Sequence, residues 1–217
     1  MKKTLLVAAV AISALFAGSA AMAQDAGSLS YNIAYTSNYV WRGVAQSNNG
    51  TGALQGGVDY KKGLFYAGTW LSNVDFKSPS NKQADTEMDL YLGITPTVGN
   101  YSFDFGVIYY TYPGAIDANV GELKAAVSHP MGKGTIGAVM YLPTETLQKP
   151  YYEVNASYPL TDKLSISGAL ANYESAGYTT SNIGLTYNLT SALSLDLRHS
   201  EAEKLPSTTY ATLKATF

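Results

Sequence analysis

Two histidines, His129 and His199, are the whole imidazole supply of this 217-residue chain, and cysteine is absent. A hydrolytic centre needs a serine hydroxyl and an imidazole on one wall, so that the ring can take the hydroxyl proton. Ser128-His129 and His199-Ser200 are adjacent pairs, and neighbours along a strand point to opposite faces. Neither pair supplies that geometry along its own strand, and only a cross-strand dyad remains open to them. His129 precedes Pro130 at a turn, and His199 falls near a longer connection. No thiolate and no clustered histidines leave no recognisable metal set, and no cofactor is implied. Gly132-Lys133-Gly134 lacks the longer glycine spacing ending in Lys-Ser/Thr that cradles phosphate. With 14 basic against 16 acidic residues there is no electrostatic footprint for nucleic acid.

The remaining chemistry belongs to charges spread along the chain, and what it can do depends on the elements that hold them. Lys2 and Lys3 precede an apolar run from Leu5 to Phe16, closed by Ala21-Met22-Ala23. This reads as a secretory signal peptide, residues 1–23, cleaved before Gln24. Its apolar run is shorter than the roughly 20 residues of a spanning helix. From residue 28 onward apolar residues recur at every second position, as in Leu29/Tyr31/Ile33/Tyr35, Met88/Leu90/Leu92/Ile94 and Leu193/Leu195/Leu197. That period places them on one face of a strand.

The pattern predicts an all-β chain over residues 24–217. Its form is a transmembrane, antiparallel, up-and-down β-barrel of about 12 strands, as strands of 9 to 11 tilted residues require. Short connections at 61–63, 98–100, 131–134, 161–163 and 190–191 alternate with longer ones at 43–51, 76–84, 113–118, 143–149, 174–177 and 201–207. Short periplasmic turns, long outer loops and both termini in the periplasm characterise outer-membrane barrels. Leu, Ile, Val, Tyr and Phe fall on the proposed lipid side. Aromatic residues near strand ends, at Tyr39 and Trp41, Tyr109 and Tyr112, and Tyr151 and Tyr152, are expected in interfacial girdles. Leu64 to Leu71 is apolar on both parities, so the pattern gives no facing for Phe65 or Tyr66. The last strand ends on Phe217 with Leu213 on the same face, resembling the signal read by the barrel-assembly machinery.

Strand parity then places Asp59, Glu87, Asp89, Asp104, Glu122, Lys124, Glu153, Asp196, Arg198 and Lys214 on inward positions. A hydrated lumen with that acidic excess concentrates cations. Alternatively the charges pair, Asp196 with Arg198 and Glu122 with Lys124, and fill the barrel. Parity points Tyr35, Tyr39 and Trp41 outward and Arg42 inward near the outer mouth, where Asp75 is its expected partner.

The words Tyr39-Val40-Trp41-Arg42-Gly43-Val44-Ala45-Gln46-Ser47, Gln55-Gly56-Gly57-Val58-Asp59-Tyr60, and Gly68-Thr69-Trp70 with Ser72-Asn73-Val74-Asp75-Phe76 together resemble the TorF-type porin family of proteobacteria. The resemblance covers about residues 31–76 and implies an outer-membrane barrel in a Gram-negative cell, with lipid around it and small solutes as its partners. It says nothing of the solute or the oligomeric state. Three expectations therefore stand side by side: a narrow channel for small hydrophilic solutes leaning to cations, a plugged structural or surface-interaction barrel, and a soluble periplasmic ligand-binding barrel. None of the three is an enzyme, and an outer-membrane lipid hydrolase, which would need the cross-strand dyad, ranks last.

Overall fold

The computed structural model describes residues 27–47 and 51–217. The signal segment 1–23 lies outside them. Twelve long strands run β1 Ser28–Thr36, β2 Ala53–Lys62, β3 Phe65–Lys77, β4 Gln83–Ile94, β5 Tyr101–Thr111 and β6 Val120–Met131, followed by β7 Gly134–Pro143, β8 Tyr151–Pro159, β9 Leu164–Tyr173, β10 Tyr178–Asn188, β11 Leu193–Ala202 and β12 Thr208–Thr216. Each pairs antiparallel with the next, and β12 returns to β1 through the register Asn32↔Thr216 to Thr36↔Thr212. The ring is thereby closed, so no long strand is left with an unpaired edge. Every proline sits in a connection or in the last two residues of a strand, where a missing N–H costs the ladder least.

Side chains alternate across this wall as the period requires. Leu29, Tyr31, Ile33 and Tyr35 of β1 are exposed outside, while Ala34 and Thr36 are buried inside. Leu90 and Leu92 face out and Glu87 and Asp89 face in on β4. The long connections gather at one end and the short ones at the other, as predicted. Over Leu64 to Leu71 the structure supplies the facing that the pattern lacked. Phe65 is outside at 67% exposure, and Tyr66 is inside, donating to Asp104 at 2.7 Å. Both parities of β3 are apolar because its inner face carries an aromatic core of its own, Trp70 being 3% exposed.

That interior packing continues toward the long-loop end. Val74, Ala84, Tyr110, Tyr112 and Ala115 form a buried cluster against Tyr39, Trp41 and Phe76. The interfacial aromatic expectation is corrected accordingly. Tyr39, Trp41, Tyr112 and Tyr151 pack inside, and Tyr35, Tyr101, Tyr109, Tyr152, Tyr158 and Tyr187 are among the outward rings. At Tyr39 and Trp41 the physical reason is a break in the strand. β1 ends at Thr36, whose Oγ1 donates to the Asn38 carbonyl at 2.9 Å, and parity cannot be carried through that turn.

Candidate functional site: the barrel interior and its inserted hairpin

Beyond Asn38 the chain forms a small hairpin, Val40–Trp41 against Val44–Ala45, which folds into the barrel. Tyr39 N–H donates to Ser47 Oγ at 2.9 Å, and Asp75 N–H donates to the Gln46 carbonyl at 2.7 Å, fixing the hairpin base to β3. At its tip Arg42 adopts a φ of 48° and Gly43 a φ of 81°. Left-handed backbone is costly for arginine and free for glycine. A Cβ at Gly43 would also lie 2.6 Å from that of Ala202 on β11, so only glycine lets the tip approach this wall.

Arg42 reaches across the interior to β6. Its two terminal nitrogens donate to Glu122 Oε1 and Oε2 at 2.8 and 2.7 Å, the bidentate geometry of a strong ion pair. Both side chains are almost fully buried, at 5% and 3% exposure. The guanidinium lies 4.3 Å from the Trp41 ring centre and 4.2 Å from that of Tyr151, with Tyr141 and Tyr173 at 5.0 and 4.9 Å. These ring faces favour a cation held away from water. Tyr110 Oη donates to Glu122 Oε2 at 3.1 Å, completing the carboxylate's shell.

The expected partner of Arg42 is corrected by this geometry. Asp75 sits on the outward parity of β3, near an irregularity between Asn73 and Phe76, and accepts from Gln83 Nε2 at 2.8 Å. Arg42 does point inward, but the hairpin carries it past β3 to the opposite wall.

The ten strand charges assigned inward by parity all lie on the inner-face positions. Lys124 pairs with Asp104 of β5 and not with Glu122, because Arg42 has taken Glu122. Asp196 and Arg198 do pair, at 3.1 Å, and Arg198 also donates to Asn182 and Ser167 at 2.6 and 2.8 Å. Asp59 accepts from Tyr91 Oη at 2.6 Å, and Glu153 accepts from Tyr151 Oη at 2.8 Å and Asn155 Nδ2 at 3.0 Å. Glu87 accepts from Tyr112 Oη at 3.1 Å. Among the described residues Asp89 Oδ1 has no hydrogen-bond partner, and half-buried Lys214 lies within electrostatic reach of Asp59. Counting Arg42, and Lys61 on the parity of Asp59 at the short-turn end, seven carboxylates face five cations among the described residues.

The motif words prove to be one structural unit. Tyr39 to Ser47 is the hairpin, and Gln55, Gly57, Asp59, Gly68, Trp70 and Ser72 form the inner face beside it. Gly56, Tyr60, Asn73 and Asp75 occupy the opposite parity, and Phe76 packs inward. Asn73 secures the start of β2 by accepting from Leu54 N–H at 2.8 Å. Gly68 makes room for Tyr91, whose ring would lie 2.5 Å from an added Cβ. Tyr110, Tyr141, Tyr151 and Tyr173 were missed by sequence reasoning as site residues; their inward parity alone would have found them.

Both histidines are on the outer wall. His129 stacks 4.6 Å from Tyr101, and its Nδ1 has no partner. His199 contacts Thr209 Oγ1 at 2.7 Å and Glu201 Oε1 at 3.3 Å. Among the described residues no hydrogen bond joins either ring to a serine.

The closed twelve-stranded ring, apolar outside and polar within, defines a barrel of the kind found in Gram-negative outer membranes. The chain belongs to a family of bacterial proteins of unknown function, Gcw_chp, whose model matches residues 20–215. No curated protein matches it in sequence. In structure it is similar to the KdgM porin, with a TM-score of 0.62 at 8% identity, covering 87% of this chain and 98% of that one. The KdgM porin in complex with disordered oligogalacturonate gives 0.59 at 8% identity, covering 87% and 97%. An active-site variant of outer membrane phospholipase A from Escherichia coli gives 0.51 at 11% identity, covering 87% and 89%. The porin-like barrel implied by the motif words agrees with these likenesses, whereas the TorF-type name has no counterpart among them.

Proposed function

We propose that the protein is a non-enzymatic outer-membrane porin, a narrow passive path for small hydrophilic solutes that leans toward cations. Residues 1–23 direct export, the mature chain from Gln24 is the barrel, and both of its ends lie in the periplasm. The observation that carries this reading is the inner wall, where among the described residues carboxylates outnumber cations seven to five once Lys61 at its short-turn end is counted. Three ion pairs neutralise Asp104, Glu122 and Asp196. Asp59, Glu87, Asp89 and Glu153 then remain against Lys214 and Lys61, and charged linings of one sign select the opposite ion.

Twelve strands fall between the side-chain-filled eight-stranded barrel and the open sixteen-stranded porin, and the inserted hairpin narrows the path further. Planar-bilayer recording of the refolded mature protein under a salt gradient tests the proposal. The expected result is discrete conductance steps with a reversal potential on the cation side. Insertion without conductance favours the second reading, a plugged structural barrel, which the buried Arg42–Glu122 lock supports. Failure to insert favours the soluble ligand-binding barrel.

A further inference from the structure

Among the described residues, four of the five buried side-chain atoms without a hydrogen-bond partner lie on one stretch of inner wall: Asn32 Oδ1, Trp70 Nε1, Glu87 Oε2 and Asp89 Oδ1. The register explains why they meet. Asn32 faces Gly57, Gly57 faces Trp70, Trp70 faces Asp89, and Asp89 faces Tyr110, so one row crosses β1 to β5. The adjacent row runs Ala34, Gln55, Ser72, Glu87. Glu87 and Asp89 are two residues apart on one face and only 2% and 4% exposed. Among the described residues no lysine or arginine pairs with either, and Arg42, the cation of the inserted hairpin, is committed to Glu122.

Two like charges buried side by side without a counter-charge are a costly arrangement. We propose that Glu87 and Asp89 hold a small monovalent cation, of ammonium or alkali type, on the inner wall beneath the inserted hairpin. The two orphaned acceptors that lie together, Glu87 Oε2 and Asp89 Oδ1, call for a ligand that donates or is positively charged. Tyr39 covers the site, packing edge-on to Trp70 at 5.3 Å between ring centres. Tyr112 and Tyr39 face Glu87, and Tyr110 faces Asp89. Such rings suit a cation with a soft, weakly held hydration shell. A divalent ion is the poorer fit, because among the described residues no three acidic or histidine side chains converge as metal ligands. The competing occupant is one proton shared between the carboxylates.

This inference deepens the proposed cation preference and rests on the barrel interior being reached by ions, so its test reads binding and not passage. The refolded mature protein carrying W41F, in detergent micelles at mildly alkaline pH, has Trp70 as its one indole. Its emission is followed during titration with potassium, methylammonium or N-methylglucamine chloride at constant ionic strength. The expected result is a saturable change with potassium or methylammonium and none with N-methylglucamine. Whichever of the two acts identifies the alkali or the ammonium type. Asp89→Asn and Glu87→Gln should each shift half-saturation upward by roughly tenfold. The same titration of the chain with Trp41 retained guards against a fault of the W41F background. Identical responses to all three salts, or a change that follows pH alone, would overturn the site in favour of the shared proton. A saturable signal from a barrel that fails to conduct leaves the site standing while the channel reading falls; conductance without a saturable signal does the reverse.

Discussion

Arg42 occupies a position where geometry, charge and backbone conformation converge on one contact. Its guanidinium is bound through two nitrogens and surrounded by four rings, so its removal strands Glu122 as a buried anion. Breaking one side of such a pair costs about 3–5 kcal/mol. Arg42→Ala is therefore expected to unseat the hairpin, raising single-channel conductance and shifting Trp41 emission to longer wavelength. The double variant Arg42→Ala with Glu122→Gln should lose less stability than the sum of the single changes, because neither charge is then orphaned. Equal conductance in Arg42→Ala and the unaltered chain would show that the hairpin does not narrow the path. Arg42 does face inward, but not through the strand parity that the sequence suggests, since β1 stops at Thr36, and its partner was not legible at all. Two-residue periodicity describes side chains within a strand, and Glu122 lies across the barrel on an element 80 positions away. Glu122 and Lys124 look like a pair in sequence for the same reason; only the third dimension shows that each has a better partner on another element.

Connections have their own chemistry, and the long-loop end illustrates it. A short helical turn at Ile116–Ala118 joins β5 to β6, and Asp117 Oδ2 accepts the Ser80 N–H of the β3–β4 connection at 2.7 Å. Hydrogen bonding from Ser80 holds the Asp117 carboxyl down at about 2, below its ordinary value. The lowered value means that the bridge is at full strength above the ordinary carboxylate range and is lost as pH falls through about 2. The Ser80 amide resonance should accordingly titrate with a midpoint near about 2 in the folded protein. A midpoint near about 4, the free aspartate value, would show that the two connections are not joined. Asp117→Asn should abolish the titration while the barrel stays intact. At this scale the sequence was most readable: twelve strands and the alternation of short and long connections all follow from period two and turn residues. Leu64 to Leu71 resisted because period two is informative only when one face is polar. In β3 the inner face holds Tyr66 and Trp70, and the contrast disappears.

The whole molecule presents a ring of exposed apolar side chains, including Leu170 at 70%, Ile183 at 55% and Leu197 at 54%. Their exposure is what a hydrocarbon surrounding demands and what water would penalise. Leu170→Arg should lower barrel stability by about 2–4 kcal/mol in lipid bilayers if the position lies near the midplane. The change is read from denaturant-induced unfolding in vesicles. A soluble barrel would show no such loss. The closure of the ring carries a further consequence, one of timing. Tyr31 and Phe217 exchange both backbone hydrogen bonds, so the seam joins the first strand to the last. That ladder has the greatest sequence separation in the molecule, and contacts of that kind form slowly. During synthesis and export β1 must wait, unpaired on one side, until the final strand has been made. A chain stopped before Thr208 would present two open edges, and it should be retained by chaperones or degraded, never held as a smaller barrel.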